Sequence, residues 1–138
     1  MKRLVTFFMA LIAVSISVMG QVTFTAIEGS DWTDAEGSAK AFDGNLNTKW
    51  CKRTSANVDR CYLMLEASEA TYLQGFKMTT ANDNADDPGR VPAEYTIFGS
   101  NNKTQWDVIY HQKEDNLIED KNFTEYTVYC NSKQKYKY

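Results

Sequence analysis

Beyond residue 20, apolar and polar residues alternate with period two in several short runs, and no window sustains the 3.6-residue period of an amphipathic helix. These runs are rich in Val, Ile, Thr, Tyr and Phe, side chains that suit a pleated, half-buried surface. They predict strands over residues 22–27, 49–51, 61–66, 73–80, 94–99, 106–111, 126–130 and 135–138. Within 61–66, Cys61, Leu63 and Leu65 share one face while Tyr62, Met64 and Glu66 take the other. Within 106–111, Trp106, Val108 and Tyr110 alternate with Asp107, Ile109 and His111, as in a sandwich strand with one face on the core. Trp50 and Trp106 fall in such runs and are expected in the core. Asp43 with Gly44, Pro88 with Gly89, and the polar run 100–104 mark the turns. Eight short strands without a helix predict an all-β fold, an antiparallel β-sandwich of two packed sheets.

The first twenty residues stand apart from this pattern. Lys2 and Arg3 precede an apolar run over 4–18 that ends in small side chains, which reads as a cleaved signal peptide at 1–20 and an exported, extracellular protein. The run is shorter than the roughly 20 residues of a membrane-spanning helix. The remaining 118 residues suit a single domain, 21–138. Without Lys2 and Arg3, 13 basic residues face 18 acidic ones, a net charge of -5 with no basic cluster. That balance excludes nucleic acid as a partner and disfavours an anionic membrane surface. Of the three cysteines, Cys51 and Cys61 flank a polar loop between two strand-like runs and are the expected disulfide, with Cys130 a buried free thiol. A loop this short makes such a bridge worth less than the ~3 kcal/mol of a 15-residue closure.

The stretch "AFDGNLNTKW" over 41–50 concentrates oxygen-bearing side chains. Two readings compete: an Asx turn in which Asp43 accepts from backbone amides, and a cage for a hard cation, which takes six to eight oxygens. Together with "GFKMTTANDNADDPGRVPAEYTIFGSNNKTQWDVI" further on, it resembles the discoidin domain, also called the coagulation factor five/eight type C domain, which overlaps with the family 32 carbohydrate-binding modules. The shared motifs are a DGN-x-x-T-x-W turn, an ND…GR-x-P segment and GSNN-x-x-x-W, in that order. The resemblance implies a jelly-roll-like, galactose-binding-domain-like sandwich. It also implies a structural calcium ion held by Asp43, Asn45, Thr48 and the backbone carbonyl of Ala41. Relatives continue past the segment matching "KQKYKY" into further strands that supply another calcium ligand, so the fold is expected to lack its last strand or strands and to leave a sheet edge unpaired.

The same resemblance frames the remaining candidates. Trp32 sits among polar and small residues in "EGSDWTDAEG", where it suits stacking on a pyranose ring or serves as a lid on the sandwich. Asp83 and Arg90 are expected to brace a long loop as a carboxylate–guanidinium pair; the alternative is that Arg90 and Asn82 or Asn84 present directed donors to sugar hydroxyls. Lys52 and Arg53 leave the Trp50 run toward the same end and are further candidate ligand contacts. His111 is the only histidine, far in sequence from any serine or cysteine arrangement of catalytic type, so no enzyme is expected. The expected function is that of a secreted, non-catalytic carbohydrate-binding module that recognises a glycan or glycoconjugate through loops at one end. The alternatives are an adhesion module for an extracellular protein or phospholipid, and a truncated remnant without a ligand.

Overall fold

The computed structural model of the chain describes residues 22–31, 33–52, 61–113 and 118–138. The expected signal peptide lies outside the described residues, as do Trp32 and Arg53. Among the described residues no helix is long and apolar enough to cross a membrane.

Among the described residues six strands form three antiparallel pairs: β1 (Phe24–Gly29) with β2 (Leu63–Ala67), β3 (Gly75–Thr79) with β6 (Glu125–Tyr129), and β4 (Tyr95–Gly99) with β5 (Asp107–Gln112). All six strands begin and end within two residues of where the alternation predicts them. β1 runs two residues beyond its predicted end because the register shifts between Ala26 and Glu28, a bulge that lets the ladder carry on to Gly29 opposite Leu63. A second bulge lies opposite Ile97 and Phe98, between the β5 partners Tyr110 and Val108.

The segment after Ser132 joins two of these pairs. Tyr136 bridges Thr71, the Ala67 amide donates to the Lys137 carbonyl at 2.9 Å, and Ser100 exchanges two backbone bonds with Tyr138 at 2.8 and 2.9 Å. Residues 136–138 therefore lie between the end of β2 and the end of β4, which ties β1–β2 and β4–β5 into one layer. The β3–β6 pair forms the other layer, and the two meet where the Phe76 ring stands edge-on to Tyr95, centroids 6.0 Å apart. Tyr95 also leans on Tyr110 at 6.1 Å. The result is the β-sandwich that the alternation predicts.

The predicted strand at 49–51 does not form. Its contacts are single bonds to loops: the Trp50 indole N–H donates to the Ser30 carbonyl at 3.1 Å and the Cys51 amide to the Glu36 carbonyl at 2.9 Å. Two short 3₁₀ turns that no periodicity announced, Asp34–Glu36 and Ser38–Phe42, fill the connection instead. Gly29 makes room for them, since a Cβ there would sit 2.4 Å from Ser38 Cβ.

Burial is thinner than the sequence suggests. Among the described residues the buried apolar side chains are Val22, Ala67 and Cys130. Trp106, expected in the core, is 37% exposed and donates its indole N–H to the Lys103 carbonyl at 3.2 Å, so it clamps a turn. A cleft of about 450 Å³ opens between the layers, lined by Pro92, Tyr95, Tyr110, Ile118, Tyr126 and Val128 among others. Cys51, Cys61 and Cys130 are all free thiols, half-buried, exposed and buried respectively, so the expected Cys51–Cys61 bridge is absent from the structure. Burial raises the thiol pKa of Cys130, as expected of a buried free cysteine.

Candidate functional site

One end of the sandwich gathers the long connections: 30–62 between β1 and β2, 80–94 between β3 and β4, and the segment that leads into β6. Their tips are held by side chains. The Asp31 carboxylate accepts from the Ser38 amide at 2.6 Å, and Lys52 Nζ donates to the Asp31 carbonyl at 3.0 Å. Lys52 thus holds the backbone beside Trp32 in the chain.

The oxygen-rich loop is an Asx turn reinforced by a hydroxyl. Asp43 Oδ1 accepts from the Asn45 amide at 2.9 Å, Asp43 Oδ2 from Thr48 Oγ1 at 2.6 Å, and Asn45 Oδ1 from the Asn47 amide at 3.0 Å. Thr48 Oγ1 also lies 2.9 Å from the Asn45 carbonyl. Gly44 has φ of 70°, the left-handed conformation that glycine adopts without penalty. The Thr48 hydroxyl, with the Asn45 amide, holds the Asp43 carboxyl below its ordinary pKa. Ala41 lies in the 3₁₀ turn just before this loop. Asp43, Asn45 and Thr48 supply oxygen atoms to one short loop, the Asp43 carboxylate among them, a donor set that fits a hard cation in kind.

An ion-pair network ties this loop to the next. Lys49 Nζ lies 2.5 Å from Asp83 Oδ2 and 3.6 Å from Glu36 Oε1; Arg90 Nη1 lies 2.9 Å from the same Asp83 oxygen, and Arg90 Nη2 2.5 Å from Asp87 Oδ2. The Lys49 hydrogen bond holds the Asp83 carboxyl below the usual range, and the same bond raises the Lys49 ammonium. Asp83 thereby clamps two loops 34 residues apart in sequence. Arg90 braces its loop as the first of its two readings expects, while its guanidinium stays 43% exposed. Asn84 is buried, with its side-chain carbonyl accepting from the Ala81 amide at 2.8 Å, so it serves the loop's interior. Asn122 Oδ1 and Asp120 Oδ1 accept from the Ala85 and Gly89 amides at 2.7 and 3.0 Å, which fastens a third connection to the same loop.

Between the first two loops lies a shallow cleft of about 260 Å³, lined by Ala35, Glu36, Asn47, Thr48, Lys49 and Asn82. Of the residues singled out from sequence, it brings together Thr48 and the exposed Asn82. Glu36, Asn47 and Lys49 were not singled out. Lys49 is one residue from Trp50 in a run that looks like a strand, and its role becomes visible only once Asp83 is known to meet it. His111 pairs with Glu94 at 2.9 Å on an exposed strand face, away from the cleft. Among the described residues no three His, Cys, Asp or Glu side chains cluster as a metal site. The cleft offers amide and hydroxyl groups, a carboxylate and an ammonium in an open polar setting: chemistry for hydrogen-bonding a hydroxylated ligand.

Compared with known proteins, the sequence profile of the F5/8 type C domain matches residues 21–138. No curated protein matches the chain.

Proposed function

The chain belongs to the F5/8 type C, or discoidin, domain family of ligand-binding modules, and we propose that it is an exported, non-catalytic module that binds carbohydrate at the cleft between the 30–62 and 80–94 connections. The observation that carries this reading is the lining of the cleft. Glu36, Asn47, Lys49 and Asn82 converge around a volume of about 260 Å³, below the ~300–1,000 Å³ of a drug-sized pocket and suited to a sugar unit or two. Carboxylate, amide and ammonium together can accept from and donate to vicinal hydroxyls. In this reading Lys52 and Arg90 line the approach, with Asn84 supporting the loop from within, and Trp32 and Arg53, which lie outside the described residues, stay candidates for stacking and ligand contact on the sequence alone. The Lys49–Asp83–Arg90 clamp fixes the two walls before ligand arrives, which lowers the ordering cost of binding. A site this shallow binds one sugar weakly, so useful affinity comes from several copies or from attachment to a larger assembly.

A structural calcium ion belongs to the same proposal, held by Asp43, Asn45, Thr48 and the Ala41 carbonyl. When bound it would neutralise the Asp43 carboxylate and lock the loop that carries Asn47, Thr48 and Lys49 into the cleft.

A glycan array probed with a multivalent form of the full chain tests the reading. Binding to at least one glycan class is expected, and loss of that binding in both Trp32→Ala and Asn82→Ala variants that remain folded. Silence across the array with folded protein, or binding to phospholipid vesicles alone, would overturn it.

A further inference from the structure

Among the described residues two that are not glycine take left-handed backbone, Lys103 at φ of 61° and Phe123 at φ of 50°. A residue with a Cβ is disfavoured there, and a bulky one especially so. At Lys103 the turn is matched by a contact, the ammonium lying over the Tyr138 ring 4.4 Å from its centroid. Phe123 gains little burial in return, since it stays 52% exposed. Its neighbours impose the conformation. On one side the Lys121 carbonyl accepts from Thr80 Oγ1 at 2.5 Å, and Asn122 Oδ1 accepts from the Ala85 amide at 2.7 Å. On the other side the Thr124 amide donates to the same Thr80 hydroxyl at 2.9 Å, and the Thr124 carbonyl accepts from the Thr80 amide at 2.9 Å. Thr80 is buried, so Lys121 and Thr124 are both pinned to the interior and the chain between them reverses at Phe123. Backbone strain of this kind persists where the surroundings over-determine it, and it gathers at ligand contacts.

The turn stands beside the polar cleft. The Phe123 amide donates to the Ala81 carbonyl at 3.3 Å, and the next residue, Asn82, lines the cleft while Phe123 does not. An exposed aromatic side chain is thus set against one wall of the cleft, outside its lining. We propose that Phe123 is a ligand-binding residue, an aromatic platform that stacks on the apolar face of a sugar unit adjoining the one held in the cleft. This rests on the carbohydrate reading above and deepens it: the ligand is a neutral glycan of two or more units, and a single sugar in the cleft leaves the platform unused. Stacking suits the ring because a pyranose presents C–H groups on its faces and hydroxyls around its edge, and Asn82 and Glu36 can bond the hydroxyls while the aromatic covers a face. Neutrality follows from the surroundings. Residues 119–125 carry three carboxylates against one lysine, and that Lys121 ammonium is held by Glu119 at 2.6 Å. Uronic acids, sulfated sugars and anionic lipid headgroups would each bring like charge against this rim, which costs affinity.

Asparagine tolerates left-handed backbone, so Phe123→Asn removes the ring without adding strain. The full chain in multivalent form is probed on an array that carries glucose, galactose, mannose and N-acetylglucosamine, each as the monosaccharide and as a trisaccharide, and its melting temperature is measured alongside. The native protein should bind at least one trisaccharide more tightly than the matching monosaccharide. Phe123→Asn should weaken that trisaccharide about tenfold, the scale of one good aromatic contact, with monosaccharide binding unchanged and the melting temperature unchanged or raised. Phe123→Tyr, which keeps an aromatic ring, should retain the native affinity. A melting temperature several degrees lower in Phe123→Asn would make the ring structural and overturn the proposal, as would loss of monosaccharide and trisaccharide alike. Equal trisaccharide binding by the native protein and Phe123→Asn would overturn it and leave the carbohydrate reading standing, whereas a native protein silent on every sugar overturns both. Binding to phosphatidylcholine vesicles that is lost in Phe123→Asn would assign the ring to a membrane surface and overturn it as well.

Discussion

Asp83 does the work of a covalent staple between two loops, and its ionisation sets when that staple holds. Its carboxyl is depressed in the fold, chiefly by Lys49, so the clamp is fully present above the ~3.9 of an unfolded aspartate and fades as pH falls through the lower folded value. Lys49 is raised by the same contact, so its share is complete below ~10.4 and lost as pH rises past its folded value. Unfolding free energy measured in urea should therefore fall more steeply below about pH 4 in the native protein than in Asp83→Asn. At neutral pH that variant should cost about 1 kcal/mol, the modest figure suiting a pair that water still reaches. Asp43 is the second residue to test. Its two hydrogen bonds make Asp43→Ala worth about 1 kcal/mol in calcium-free buffer. If the loop holds calcium, millimolar calcium raises the melting temperature of the native protein and leaves that of the variant unchanged, a ligand of the folded state being stabilising in proportion to its affinity. The thiols separate by burial: a soluble thiol reagent should label exposed Cys61 first, Cys51 next, and buried Cys130 only as the protein unfolds.

Among the elements, the strands were legible because period-two alternation is a local signal, and β2 and β4 lie where Leu63, Leu65, Tyr95 and Ile97 announce them. The connections were not. The 3₁₀ turn at Asp34–Glu36 closes on its own Glu36 amide to Thr33 carbonyl bond, and its Glu36 meets Lys49, which in turn meets Asp83 far along the chain. Trp106 misled for a related reason: its run alternates as a buried strand does, yet a bond to the Lys103 carbonyl turns the ring over a loop. DGNLNTKW gave the Asp43, Asn45 and Thr48 cluster directly, because an Asx turn is written in consecutive residues. Close approach of backbone supplies the element-scale test. A Cβ on Gly75 would lie 2.6 Å from the Val128 carbonyl oxygen, at the end of the β3–β6 ladder where Gly75 pairs with Tyr129. Gly75→Ala should cost about 2 kcal/mol, the scale of overpacking that backbone must absorb. A Cβ on Gly99 would strike the Tyr136 ring at 2.4 Å, so Gly99→Ala should displace residues 136–138 and expose the Ser100 and Ala67 amides to exchange while β3–β6 stays protected.

On the scale of the whole molecule, the two ends of the sandwich have divided labour. The loop end carries the clamp and the cleft. At the other end Ser68 is the meeting point: Thr23 exchanges bonds with it, its amide reaching the Ser68 hydroxyl at 3.1 Å and its carbonyl the Ser68 amide at 2.8 Å, while Lys137 Nζ donates to the Ser68 carbonyl at 3.0 Å. Residues 22–23 and 137–138 thus lie side by side at this end, a full strand length, ~17 Å, from the loops. A surface that held the protein by this end would leave the cleft facing outward. Copies planted on a surface in this way would all present the same side, and the weakness of each contact would be offset by their shared orientation.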